Sequence, residues 1–221
     1  VNGSETFDIS GKLFVQFKGE EKVRSYSNES LTVDEVVLND AGNGQEVLQL
    51  DLFDEESESS SVTADYQMNF DTTTSADLLD KNFGFSGSGS STSLYLQPSY
   101  AEVLVSGPIL YDGTDYRSRE YRVFNQSLGS GVLQQDLFLL DSTVGEPVYV
   151  EVVDQAGDPV DGILEILRYD GSTGELTAIS RRTIDESGQA LEYLNIDDAY
   201  YGYRVVQEGE VVREFDESII T

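Results

Sequence analysis

Carboxylates are the reactive groups this chain holds in quantity: 42 Asp and Glu stand against 13 Lys and Arg, with no His and no Cys. Two carboxylates at a defined separation can hydrolyse a glycosidic bond. Among so many acids the sequence singles out no pair, and a secreted glycosidase is the third-ranked reading. Without His or Cys, the Ser–His–Asp, Cys–His and zinc hydrolase mechanisms are excluded within this chain, as is any disulfide. Carboxylate, Tyr, Ser and Lys remain, and the lysines are only Lys12, Lys18, Lys22 and Lys81. No catalytic residue is assigned, and a protein without enzymatic activity is expected.

Oxygen-rich turns give the other candidates. Asp40 and Asn43, in the turn-rich stretch 39–44, and the adjacent Asp197 and Asp198 could offer oxygens to Ca²⁺. Neither pair follows the twelve-residue calcium loop, and solvated turn acids are the plainer reading. Ca²⁺ is the one cofactor these residues suit. Three Asn-x-Ser sequons, at Asn2, Asn28 and Asn125, are candidate glycosylation sites, set against chance in a chain rich in Asn and Ser. Tyr169, Tyr193, Tyr200, Tyr201 and Tyr203 could stack on a sugar, though alternating tyrosines more often form half-buried cross-strand pairs. Arg117, Arg119 and Arg122 are the densest basic group, suited to pairing with local acids or a neighbouring subunit.

A net charge of −29 over 221 residues bounds the partners. Such a surface repels itself at low salt and becomes tolerable where counterions are dense, since the Debye length falls to about 3 Å at 1 M. A protein of brine or another salty exterior is expected. Nucleic-acid binding needs a cationic stripe to neutralise phosphates, and the scattered cations supply none; an anionic membrane surface is disfavoured for the same reason. Mimicry of DNA is a lesser reading of the same charge. No apolar run approaches the roughly 18 residues of a membrane span, so no direct membrane insertion is expected. The chain starts at Val1 rather than Met, which reads as a processed or excised segment.

Strands must position these groups, because period-two alternation dominates. Residues 12–17, 31–38, 46–53 and 62–70 read as strands, followed by 94–97, 101–105, 119–124 and 135–140. Within 46–53, Val47, Gln49, Asp51 and Phe53 fall on one face and Leu48, Leu50 and Leu52 on the other. Residues 54–61 read as an acidic, serine-rich loop. Residues 75–81 are the one plausible helical turn, with Ser75 as its cap. The Gly/Ser stretch 86–93 reads as flexible, either a domain boundary or a long sandwich loop.

Residues 148–212 carry the clearest pattern. A strand at 148–154 leads through Asp154, Gly157, Pro159, Val160 and Gly162 to a second strand at 163–169. Leu176 opens a third. Thr183, Asp185 and Gly188 then precede Tyr203 and a closing hairpin. This resembles the carboxypeptidase-regulatory-like, or prealbumin-like, β-sandwich family, whose turns read Asp-x-x-Gly-x-Pro-Val-x-Gly and Thr-Asp-x-x-Gly. The resemblance implies an antiparallel sandwich with Val150, Val152, Ile166 and Val205 in its core. It also implies a stalk, spacer or adhesion role in an exported protein, with no catalytic residue.

The expected fold is all-β, with two antiparallel β-sandwich modules, Ig-like or jelly-roll-like: an N-terminal one over 1–107, connecting strands that either module could share over 108–143, and the family-like module over 144–221. The expected function is a structural or assembly protein on a virion or cell surface of a salt-adapted organism, as stalk, decoration, fibre or filament subunit. Its partners would be copies of itself or neighbouring surface proteins. The alternative is a receptor- or glycan-binding adhesion module that uses loops at the sandwich ends.

Overall fold

The computed structural model describes residues 5–17, 20–33, 35–57, 62–73, 81–99, 101–170 and 174–218. Among these the alternation becomes strands throughout: β1 (Glu5–Phe17), β2 (Glu20–Val33), β3 (Val37–Asn39), β4 (Gln45–Asp54), β5 (Ala64–Thr73), β6 (Lys81–Gly89), β7 (Ser91–Gln97) and β8 (Val103–Gly113). There follow β9 (Tyr116–Leu128), β10 (Leu133–Leu139), β11 (Glu146–Glu151), β12 (Gly162–Asp170), β13 (Glu175–Ile184), β14 (Gln189–Leu194), β15 (Tyr201–Gln207) and β16 (Glu210–Ser218). No helix forms among the described residues, so none there is long and apolar enough to cross a membrane.

Two layers recur along the chain. An eight-stranded sheet runs β16-β15-β12-β13-β9-β8-β5-β6. A four-stranded sheet, β10-β4-β7-β3, shares one apolar core with the β5–β9 half of it, and the β11-β14 pair shares a second core with the β12–β15 half. β1 and β2 form a two-stranded sheet of their own. Pairing is antiparallel except between β10 and β4, and between β13 and β9, which meet at the single pair Arg181–Tyr121.

Alternation explains both cores. Leu48, Leu50 and Leu52 of β4, Leu94 and Leu96 of β7, and Leu137 and Leu139 of β10 are all buried against Met68, Phe70, Val105 and Ile109. Each such side chain contributes roughly 1.5–3 kcal/mol on burial. The second core takes Leu164, Ile166, Ile179, Ile184, Leu194 and Val205, with Val150 and Val152 packed against it. The expected core positions Val150, Val152, Ile166 and Val205 therefore all face it, within antiparallel pairings.

The turns follow their chemistry. Asp154 Oδ1 accepts from the amides of Ala156 (2.8 Å) and Asp158 (2.9 Å), and Asp185 Oδ1 from those of Ser187 and Gln189 (both 2.9 Å). Gly162 has φ +144°, and a Cβ there would stand 2.8 Å from the Val206 carbonyl oxygen. Glu208 and Gly209, both at positive φ, form the two-residue turn between β15 and β16.

Four expectations are corrected. The strand over 31–38 is broken: β2 ends at Val33 and β3 starts at Val37. Val47 is buried together with Leu48 instead of facing away from it, because a register shift between Glu46 and Leu48 inserts a bulge there. Residues 86–93 are neither a domain boundary nor a long loop but the end of β6, one bend at Ser90 and the start of β7. Gly87 and Gly89 continue the inward phase of Phe83 and Phe85, Ser86 and Ser88 face outward, and the Tyr66 ring lies where a Gly87 side chain would be. Lys81 opens β6; the rest of the helical turn, 75–80, lies outside the described residues.

Candidate functional site

Among the described residues, a buried charged cluster lies between the two cores and is built from distant strands. β9 alternates Arg119, Tyr121 and Val123 inward, which puts a guanidinium in a core position that is 0% exposed. The turn after β4 supplies its partner. Asp54 Oδ1 accepts from the amides of Glu56 (3.0 Å) and Ser57 (2.7 Å) and from the Ser57 hydroxyl (2.8 Å). Partial burial works against the Asp54 charge, but the Ser57 bonds outweigh it and hold the carboxyl below its ordinary range. Next to this closed turn, Glu55 points inward and is 1% exposed. Glu192 reaches the cluster from β14, in phase with Ala190 and Leu194, and is also fully buried.

Arg119 Nη1 lies 2.5 Å from Glu55 Oε2, and its Nε lies 3.8 Å from Glu192 Oε1. The guanidinium also donates to the carbonyls of Phe138 (3.2 Å) and Tyr193 (3.0 Å). The Tyr201 hydroxyl donates to Glu55 Oε1 (2.9 Å) and accepts from the Asn195 amide (3.0 Å). Arg168 donates to the Glu55 carbonyl oxygen and stands 3.9 Å from its carboxylate. Ser180 donates to Glu192 Oε2 at 2.5 Å. Two carboxylates thus face two guanidiniums, and the cluster is neutral.

Its electrostatics keep it so. Burial opposes the charge on Arg119, but Glu55 and Glu192 outweigh it and hold the group protonated. Burial first, then the Glu55 charge, raises the Tyr201 hydroxyl well above the ordinary phenol range. Burial alone pushes Tyr203 up to about 12, and among the described residues its hydroxyl has no hydrogen-bond partner. With both acids closed to solvent and held by guanidiniums and hydroxyls from other strands, the cluster acts as a strut. It joins the β4 turn and β9, on the first core, to β12, β14 and β15, on the second.

The basic group resolves into local pairings. Arg117 stacks over Tyr193 at 4.6 Å and donates to the Ser142 carbonyl, while Arg122 lies 3.7 Å from Glu120 and donates to Thr183. The tyrosines separate: Tyr201 and Tyr203 are buried, whereas Tyr169 and Tyr200 are exposed beside each other, with the Tyr169 amide donating to the Tyr200 carbonyl at 3.0 Å. Asp40 and Asn43 lie in the exposed β3–β4 loop, where Asn39 Oδ1 accepts from the Ala41 and Asn43 amides. Asp197 and Asp198 lie in the exposed β14–β15 turn, and no group of three or more metal-ligating side chains forms among the described residues. Asn125 is exposed on β9 at φ +45°, its amide donating to Ser106 Oγ (2.9 Å). Asn2 and the Asn28 side chain lie outside the described residues.

Sequence reasoning missed the cluster. The stretch 54–61 reads as a solvated acidic loop, yet Glu55 is among the most deeply buried residues. Arg119 and Glu192 did carry a signal, since each stands in phase with the apolar residues of its strand.

No protein-family model and no curated protein matches the chain. Among solved structures, the Bacillus anthracis TIE protein is similar at TM-score 0.24 and 12% identity, over 96% of this chain and 39% of that one. A double mutant of the shaft pilin SpaA from Lactobacillus rhamnosus GG is similar at TM-score 0.24 and 12% identity, over 74% of this chain and 88% of that one. The chain spans well under half the length of the first. At these scores neither match assigns a family or an activity.

Proposed function

We propose that the chain is a non-enzymatic structural subunit on the outside of a virion or cell of a salt-adapted organism, serving as stalk, decoration, fibre or filament unit. The observation that carries this reading is the buried neutral cluster around Arg119, which uses its polar groups to fix one core against the other. Layered sheets held in this way suit a load-bearing spacer. The surface charge supports the salty setting, because a self-repelling exterior needs dense counterions. In this reading the chain is two sandwich units in tandem, the second being the family-like module.

The test is electron microscopy of the pure chain in molar KCl, beside assays on a broad panel of hydrolase substrates. Regular multimers with no turnover are expected. A strictly monomeric chain whose turnover is abolished by one carboxylate substitution would overturn the reading. A second reading, glycan or receptor binding at the sandwich end, is favoured by Tyr169 and Tyr200, two exposed tyrosines whose backbones are hydrogen-bonded to each other. Glycan-array binding lost in Tyr169→Ala and Tyr200→Ala would establish it, and a blank array would end it.

A further inference from the structure

We propose that the β1–β2 hairpin of one chain adds to the β16 edge of a second copy, joining subunits head to tail. The inference rests on the structural-subunit reading above and names the surface through which that subunit assembles.

Three observations carry it. The hairpin forms a sheet of its own, and among the described residues no other strand pairs with β1 or β2. Its strands are 13 and 14 residues long, yet a two-stranded ribbon is at best marginally stable in water without a further strand or an apolar cover. Phe7, Ile9, Leu13, Val15 and Phe17 occupy alternate positions of β1, the pattern of a strand with one face to be covered.

Charge chooses the partner. Residues 12–24 hold Lys12, Lys18, Lys22 and Arg24 against Glu20 and Glu21, a net positive stretch in a chain of charge −29. Three of the four lysines fall within it. An acidic surface is its complement, and the surface present at equal concentration is another copy of this chain.

The edges of the eight-stranded sheet are β16 and β6. β6 carries only Lys81 as a charged residue, and Lys81 is paired with Glu35 at 2.5 Å. β16 and its turn carry Glu208, Glu210, Glu214, Asp216 and Glu217 against Arg213, and Glu214 is paired with Arg204 of β15 at 2.5 Å, leaving four further acids. Val211 and Val212, neighbours that fall on opposite faces of the strand, are 53% and 46% exposed. An open edge with apolar residues on both faces is a template for strand addition. Donor and acceptor are different surfaces, so the contact is heterologous and propagates into a filament unless its rotation closes a ring.

The test uses the full chain. Sedimentation velocity in about 0.1 M salt, where charge acts over about 10 Å, compares wild type with K12E/K22E/R24E, with E208K/E210K, and with both sets combined. Each set alone is expected to weaken association about tenfold or more, and the combination to restore it. Because the chain has no cysteine, a gentler pair of variants gives a second reading: Val15→Cys and Val212→Cys chains, mixed and oxidised, should form a covalent heterodimer. Multimers that ignore the charge reversals, with no cross-link, would overturn the hairpin contact and leave the assembly reading standing. A chain that stays monomeric at every salt and concentration would overturn both.

Discussion

Replacing Arg119 by Met tests the strut directly. The side chains are of similar length, so the perturbation is chiefly the loss of charge and of donors. It leaves Glu55 and Glu192, 1% and 0% exposed, without the guanidinium they share. Removing one partner of a buried pair costs about 3–5 kcal/mol, because the remaining charge stays desolvated. Here two acids are stranded, with Arg168 reaching only Glu55 from 3.9 Å, so the upper part of that range applies. In a domain of this size about 4 kcal/mol corresponds to a melting temperature lower by roughly 10–15 °C.

The assay is equilibrium urea unfolding followed by far-UV circular dichroism, in molar KCl so that surface repulsion stays constant. Hydrogen exchange supplies the second readout: amides of β12 and β15 should lose protection together with those of β9, since the cluster ties them. Replacing the whole group, as Arg119→Met with Glu55→Gln and Glu192→Leu, should recover much of the loss, because an apolar substitute for a buried ionic group is often neutral or better. A single variant within about 1 kcal/mol of wild type, or a triple variant worse than the single, would refute the reasoning.

Three further outcomes are expected. The melting temperature of the wild type should rise substantially from dilute buffer to molar KCl, as screening relieves the repulsion of a −29 chain; a flat response in a well-folded protein would remove the halophilic reading. Asp136 stands opposite Asp51 on paired strands, and burial, then that charge, raises its carboxyl above 3.8. A raised folded-state value means stability falls as pH climbs through 3.8, so Asp136→Asn should gain a few tenths of a kcal/mol at pH 7 in low salt and nothing at pH 3, measured by urea titration. The Ser187 hydroxyl, then the Gln189 amide, holds Asp185 below 3.8. Its contribution is therefore present above that pH and lost as pH falls through the lowered value, and Asp185→Ala should flatten the acid limb of the melting curve.

Much of the fold was legible because strands have one dominant local rule. Leu48, Leu50 and Leu52 turn inward as their alternation requires. The same rule would have read residues 86–93, but Gly and Ser composition suggested a flexible boundary or loop and hid the phase. Gly87 pairs with Tyr66 and Gly89 with Ala64, continuing the Phe83 and Phe85 positions. Arg119 and Glu192 were legible by phase as charges in core positions. Glu55 was not: it stands in an acidic run, and the Tyr201 hydroxyl it accepts from is 146 residues away. No local pattern encodes that pairing, because it exists only once the two cores meet.

The division of cations follows from the same physics. Where a guanidinium must bridge strands in a dry site, Arg is suited by its planar fork of donors and its lasting charge. From residue 35 onward every cation except Lys81 is an arginine. Arg119 and Arg168 serve the cluster, Arg181 and Arg204 share Glu165, and Arg122 ties β9 to β13 through Thr183. Cations held in this way are committed to contacts within the chain. The other three lysines gather at residues 12–22 instead. A flexible, strongly hydrated ammonium makes a poor internal staple but a workable contact with a wet acidic surface. Arginines that hold the body together and lysines gathered between residues 12 and 22 divide the cations between a rigid interior and the proposed contact with the next copy.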